Sequence, residues 1–282
     1  MKTRFLVLIC LLLGIAYGCS DNKDTDFGFV DDVTKEAFVK DFPGATGVKW
    51  EKKQDYYVAE FYVDKREMEA WYDNVGKLYI TEKDISREEL PAAVEDAFQK
   101  SAYADWKIDD IDQYDRDGYE TIYILEVERG DDEVDLVYNK EGILLKEIVD
   151  NPGGHNPGDY IISELPVGIK DYLDKNHKNS RIVDVDREPT KWEVEIVEDG
   201  VKKELDFDKD GKNWLQTKWE IIESEIPEAV KTGIKNSEYV DWVIDDVDYV
   251  INPEGVFYLI EFEKKGQNDV KVLFKADGSI VK

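Results

Sequence analysis

The stretch Glu89-Leu90-Pro91-Ala92-Ala93-Val94 returns as Glu225-Ile226-Pro227-Glu228-Ala229-Val230, and Ala104-Asp105-Trp106-Lys107-Ile108-Asp109-Asp110-Ile111-Asp112 returns as Val240-Asp241-Trp242-Val243-Ile244-Asp245-Asp246-Val247-Asp248. One shift, which carries residue 90 onto residue 226, aligns both. A match this long in a single register marks a duplication, and a duplication dictates architecture before local propensity is weighed. A fainter repeat divides each copy. Glu164-Leu165-Pro166 restates the start, and the turns Asp73-Asn74-Val75-Gly76, Asn139-Lys140-Glu141-Gly142, Asp208-Lys209-Asp210-Gly211 and Lys275-Ala276-Asp277-Gly278 each sit between strand-like runs. Four units result, near 33–82, 85–149, 160–218 and 221–282.

Each unit opens with a helix. In the second, Leu90, Ala93, Val94, Ala97 and Phe98 recur at helical spacing behind a Ser86/Glu89 capping box; Ile226, Ala229, Val230 and Ile234 do so in the fourth, and Leu165, Ile169, Tyr172 and Leu173 in the third. Pro91, Pro166 and Pro227 fall in the first turn, where a missing N–H is tolerated. Strands follow with a period of two. Tyr57, Ala59, Phe61, Met68, Ala70 and Tyr72 form one inward face, as do Tyr123, Leu125, Val127, Val134, Leu136 and Tyr138; Trp192, Val194, Ile196, Leu205 and Phe207; and Tyr258, Ile260, Phe262, Val270, Val272 and Phe274. The expected fold class is α+β: two tandem domains, 33–149 and 160–282, each a pair of helix-plus-antiparallel-meander (αβββ-type) units with the helices on one sheet face. The Pro- and Gly-rich residues 150–159 read as a linker.

The chain of 282 residues carries 65 acidic against 37 basic side chains, a net charge of -28. Such a surface repels phosphate, so nucleic acid is excluded as a partner. Apolar residues at 42% and aromatics at 12% supply ample surface for a core. Residues 1–18 read as a signal peptide: Lys2 and Arg4 precede an apolar run from Phe5 to Ile15 that is too short to span a bilayer comfortably. Ile15-Ala16-Tyr17-Gly18-Cys19 resembles the bacterial lipobox, which makes Cys19 the expected lipidation site and residues 19–32 a lipidated N-terminus with a polar tether. The expected location is the cell envelope, as an outer-membrane lipoprotein facing the periplasm or the surface, with membrane contact through the anchor only. Cys10 leaves with the leader, so no thiol remains for disulfides or zinc.

The helix-and-meander unit, Phe42-Pro43-Gly44-Ala45-Thr46-Gly47-Val48-Lys49-Trp50 after the first helix, and the hairpins ending in Gly resemble the PepSY-like, beta-lactamase-inhibitor-like (BLIP-like) domains of bacterial lipoproteins. The resemblance spans nearly all of the chain past the leader as two tandem domains. The third unit departs from it, with Asn179-Ser180-Arg181-Ile182 where the Phe-Pro-Gly-Ala signature would fall. The resemblance implies a binding or inhibitory module and carries over no catalytic residues.

The residues themselves offer little chemistry. Asp206-x-Asp208-x-Asp210-Gly211 opens like a calcium loop, but Thr217 stands where a bidentate Glu belongs, so Asp206, Asp208 and Asp210 read as an acidic type I′ or bulged hairpin and no metal is expected. Asp105, Asp109, Asp110, Asp112, Asp115 and Asp117, echoed by Asp241, Asp245, Asp246 and Asp248, read as a solvated strand face with a bulge between Ile108 and Ile111. His155 and His177 have no nucleophile partner, and neither a nucleophile elbow nor a phosphate loop occurs. No catalytic residue and no cofactor is expected. The outward sheet face of the first unit places Tyr56, Tyr62 and Trp71 among Glu60, Glu67 and Glu69, with Ile122 and Ile124 on that of the second. These residues either form an interface or bury against a neighbouring unit. The functional expectation is a non-enzymatic, lipid-anchored envelope protein that binds another protein through Tyr56, Glu60, Tyr62, Glu69 and Trp71, with inhibition of an extracytoplasmic enzyme as its narrower form. The alternative is a glycan or small-ligand binding component of a surface uptake system.

Overall fold

The computed structural model describes residues 28–149, 156–162 and 164–281. The expected signal peptide, Cys19, most of the tether, His155 and most of the linker lie outside the described residues. Within them, α1 (Asp32–Asp41) leads into β1 (Thr46–Lys53), β2 (Tyr56–Val63), β3 (Arg66–Tyr72) and β4 (Leu78–Asp84). Next, α2 (Ala92–Phe98) leads into β5 (Lys107–Arg116), β6 (Ile122–Arg129), β7 (Asp132–Asn139) and β8 (Leu144–Val149). These strands form one eight-stranded antiparallel sheet in sequence order. The second sheet follows α3 (Val167–Asn176) with β9 (Arg181–Arg187), β10 (Lys191–Glu198), β11 (Val201–Asp208) and β12 (Trp214–Glu220), then α4 (Glu228–Lys235) with β13 (Val243–Asn252), β14 (Gly255–Glu263) and β15 (Val270–Lys275). Its seven strands are again neighbours in sequence order.

The three-strand meander expected for each unit is corrected to four strands in the first three units. β4 pairs with β5, from Ile80 opposite Arg116 to Asp84 opposite Asp112, so two units share one sheet. Asp-rich β5 has poor intrinsic strand propensity, and it is held by the partners on both sides. The expected bulge is present: the β5–β6 register slips between Ile108 and Asp110, and the β13–β14 register slips between Ile244 and Asp246. Asp110 and Asp246 then accept hydrogen bonds from the next backbone N–H, at 2.9 and 2.8 Å. Aspartate recurs here because it caps a bulge.

The Ser86/Glu89 box also forms, but it caps a single 3₁₀ turn, Arg87–Glu89, ahead of α2. Pro91, Pro166 and Pro227 each stand one residue before their helix, at the N-cap. Each helix buries its apolar stripe on the inward strand residues that alternation assigned. Phe38 packs on Ala59, Phe61, Ala70 and Tyr72. Val94 and Phe98 cover Tyr123, Leu125, Leu136 and Tyr138. Ile169 and Leu173 cover Trp192, Val194 and Phe207, and Val230 covers Tyr258, Ile260 and Phe274. The hairpin after the third strand of a unit folds against its helix. There Gly142 has φ +79°, and a Cβ on it would lie 2.2 Å from the Ala93 carbonyl oxygen; Gly278, at φ +86°, would meet Ala229 O at 2.1 Å. Only glycine fits both the left-handed conformation and the contact. Among the described residues no helix is long and apolar enough to cross a membrane.

Candidate functional site

The faces turned away from the helices decide what the molecule presents. Val58, Trp71, Ile80, Tyr114, Ile122, Ile124, Val137 and Leu145 of the first sheet form one cluster with Tyr160, Val183 and Val197. Part of the first sheet's outward face is therefore covered by the second sheet and by the segment leading to it. Trp71 is 1% exposed; a Cβ on Gly158 would touch its ring at 2.9 Å. Ile122 and Ile124 are buried in the same cluster. The expectation that Trp71 belongs to an exposed binding face is thus corrected, and of the two outcomes open to Ile122 and Ile124 the structure shows burial: alternation assigns the face but not what lies on it. Trp71 Nε1 donates to Glu69 Oε2 at 3.2 Å, and the Lys53 ammonium stands 5.2 Å from its ring. Tyr56 is partly buried beside it, ring centroids 6.0 Å apart.

Polar groups close this contact. Arg116, itself buried, donates from Nε to Glu120 O at 2.9 Å and from Nη1 to Val183 O at 2.8 Å. Burial lowers its pKa to about 10, although Asp184 and Glu120 favour its charge. Arg181 makes two hydrogen bonds to Glu141, at 2.8 and 3.0 Å, and Lys146 pairs with Asp184. Burial raises the pKa of both Glu120 and Glu195.

The remainder of the first sheet's outward face is open and acidic. Glu60, Glu67, Met68, Glu69, Glu82, Lys83 and Asp84 line a concavity of about 250 Å³. Glu60 binds Lys49 Nζ at 2.7 Å, a contact that holds its pKa down. A hydrogen bond to Glu67 pushes the Tyr62 phenol up. Burial pushes Glu82 up to about 8, with Glu69 and Asp84 adding repulsion. Sequence reasoning missed Glu82 and Asp84; their signal was the β4–β5 pairing, which an alternation pattern does not show. Glu60, Tyr62 and Glu69 do share this sector, and Trp71 lies beneath its margin.

The acidic hairpin does not gather its carboxylates. Asp206 pairs with Lys191 at 2.9 Å and accepts from Gln216 at 2.7 Å, on the sheet's outward face. Asp208 accepts from Lys212 N at 2.8 Å and from Asn213 Nδ2. Gly211 has φ +65°, and neither Lys209 nor Asp210 has a positive φ, so the turn is not type I′. His177 Nδ1 lies 3.0 Å from Glu198, an orienting contact at the end of α3. A second concavity, about 530 Å³, lies where the β7–β8 hairpin meets the second sheet, with Ile143, Leu144, Lys202, Trp219, Glu220 and Asp248 in its wall.

The sequence profile of the PepSY-like, beta-lactamase-inhibitor-like family matches residues 55–146, 160–212 and 194–282. The chain belongs to this family. As a PepSY-like protein it is similar to a BLIP-like protein from Bacteroides fragilis, at 34% identity over 45% of this chain and 91% of that one, with a TM-score of 0.43. It is also similar to a DUF2874 family protein from Bacteroides ovatus, at 26% identity over 46% of this chain and 95% of that one, TM-score 0.44. No curated protein matches it.

Proposed function

We propose that this PepSY-like chain is a non-enzymatic binding module of the bacterial cell envelope that takes a basic protein surface on the open acidic sector of its first sheet. One observation carries the reading. The outward face of that sheet splits into an apolar part, covered by the second sheet, and a carboxylate-lined concavity left open to solvent. Carboxylates held close together on a rigid sheet favour whatever brings positive charge to them, and they steer its approach. Tyr62, half-buried at the margin, adds the amphipathic contact common at such interfaces. The lipobox-like sequence ending in Cys19 supports anchorage at the membrane. Labelling with palmitate tests the anchor and should vanish in Cys19→Ala.

The double charge reversal Glu60→Lys, Glu67→Lys tests the partner. Capture of basic proteins from envelope extract should fall at least tenfold, and the fall should shrink as salt is raised. Equal capture by the reversed protein at low salt refutes the sector as the binding surface. A second reading, a glycan or small-ligand binder, draws on the other concavity, where Glu204, Glu220 and Asp248 stand near Ile143 and Leu144. Carboxylates beside an apolar patch suit a sugar's hydroxyls and its ring. Binding on a glycan array that is lost in Glu220→Ala would favour it over the protein partner.

A further inference from the structure

The contact between the two halves is built from parts that the duplication does not share. Residues 117–121 join β5 to β6, whereas residues 253–254 suffice between β13 and β14, and Arg116 stands where the second half has Asn252. From this longer turn Glu120 reaches the seam between the sheets, its side chain 3% exposed. Arg181, at the start of β9, comes from the other half. Its Nε lies 3.3 Å from Glu120 Oε1, while both Nη atoms are given to Glu141, at 2.8 and 3.0 Å. Two carboxylates of the first half thus converge on one guanidinium of the second. Nearby, Lys202 of the second half donates to the Leu145 carbonyl of the first at 2.5 Å.

The groups facing Glu120 leave it the weaker share of positive charge. Arg116 of β5, the other buried cation beside it, gives its hydrogens to two backbone carbonyls, Glu120 O and Val183 O, and is also drawn to Asp184 of β9. Lys140, in the β7–β8 turn, stands 3.9 Å from Glu141, and Asn139 at the end of β7 is uncharged. With both carboxylates ionised, neither oxygen of Glu120 has a hydrogen-bond partner. One proton between Glu120 and Glu141 supplies the missing bond. Burial raises the Glu120 pKa, against the pull of Arg181 and with the repulsion of Glu141. In an opened seam Glu120 would return to water and to the ordinary carboxylate range. The closed form therefore binds the proton more tightly, so closure is favoured in acid and weakens as pH rises through the closed-form pKa. Glu195, on β10, is also raised by burial, despite Lys202 at 2.9 Å, and acts in the same direction.

We propose that this seam is a proton-operated clasp: a proton held between Glu120 and Glu141, beside Arg181, keeps the second half closed over the first sheet, and its loss lets the two halves part. Opening uncovers Val58, Trp71, Ile122 and Ile124, an apolar face that the closed form hides. The two states differ in the pairing of a few charged side chains at one contact, which is the kind of element that a single proton can bias. This inference goes beyond the partner-binding reading and needs no partner to test.

The test is hydrogen exchange of the full chain, read by mass spectrometry between about pH 5.5 and about pH 8.5 and corrected for the intrinsic dependence of amide exchange on pH. Strand β14, outside the seam, is the internal reference. The expected result is that opening of β9 and of residues 157–162 rises about fivefold over that range relative to β14. Glu120→Gln, which cannot ionise, should cut the rise by at least half. Should that variant fail to fold by circular dichroism, Glu141→Gln replaces it: it leaves Arg181 to Glu120 alone and should cut the rise likewise. No rise in the wild-type protein overturns the proposal. So does the full wild-type rise in the variant, or a rise shared equally by β14, which would be loss of the whole fold and not of the clasp.

Discussion

Replacing Trp71 by Ala separates the two roles that an aromatic residue among carboxylates can play. On a solvent-facing platform the change would cost little stability. In the structure the indole is 1% exposed, with Ile80 and Val58 on neighbouring strands and the chain at Gly158 above it. A buried tryptophan removes about 200 Å² from water, worth about 5 kcal/mol at 25 cal/mol per Å². Measured truncations of this kind fall at about 3–5 kcal/mol. The hydrogen bond to Glu69 adds about 1 kcal/mol, and part of the cavity will close, so the expected loss is about 4 kcal/mol. With a urea slope of about 3 kcal/mol per M, the midpoint should drop by about 1.3 M. The chain has seven tryptophans, so far-UV circular dichroism follows unfolding more cleanly than fluorescence does. Trp71→Phe, which keeps a ring in place, should lose about half as much. A loss below about 1 kcal/mol in Trp71→Ala, with partner capture weakened instead, would refute the reasoning and return Trp71 to the surface.

Gly142→Ala should destabilise the chain by about 3 kcal/mol, because the methyl group would meet the Ala93 carbonyl, while Gly118→Ala, also at positive φ but with open space around it, should cost about 1 kcal/mol; urea unfolding of the pair measures the difference. Glu82 makes stability depend on pH. It is faced by Glu69 from β3, Asp84 on its own strand, Asp110, Asp112 and Tyr114 from β5, and Lys53 from β1. Its folded pKa of about 8 lies above the unfolded value near 4.3, so the folded state binds the proton more tightly, and the contribution present in acid is lost as pH rises from about 5 through 8. In metal-free buffer the wild-type melting temperature should fall over that window by several degrees more than that of Glu82→Gln, and equal slopes would show that Glu82 titrates normally.

Much of the fold was legible because helix spacing and strand alternation are read within a few residues of each other. Tyr123, Leu125 and Val127 announce their face without help from the rest of the chain. Strand β5 was harder, since Asp109, Asp110, Asp112 and Asp115 obscure its pattern and its pairing with β4 is fixed by neighbours. The outward faces were hardest. Tyr56 and Trp71 look alike in sequence, one strand apart among glutamates, yet Trp71 is covered and Tyr56 only partly so. Coverage depends on a contact between sheets whose residues, such as Val58, Val183 and Val197, are single positions in otherwise polar faces. The acidic sector was hidden for the same reason: Glu82 and Asp112 are thirty positions apart, and only strand pairing brings them together.

Every neighbour in either sheet is also a neighbour in the chain. A meander of this kind has no strand that must wait for a distant partner, so each hairpin closes a short loop at low entropic cost. If the chain crosses a membrane unfolded, as a signal peptide at residues 1–18 would require, β1 can dock on β2 while β8 is still crossing. Growth would then proceed at one moving edge, with the helix of each unit arriving before the strands it covers. The docking of the second sheet over Trp71 is the one step that needs both halves present, and it would come last. Translocation and folding can therefore run in the same direction and at the same pace, which limits the time any unpaired edge is offered to another chain.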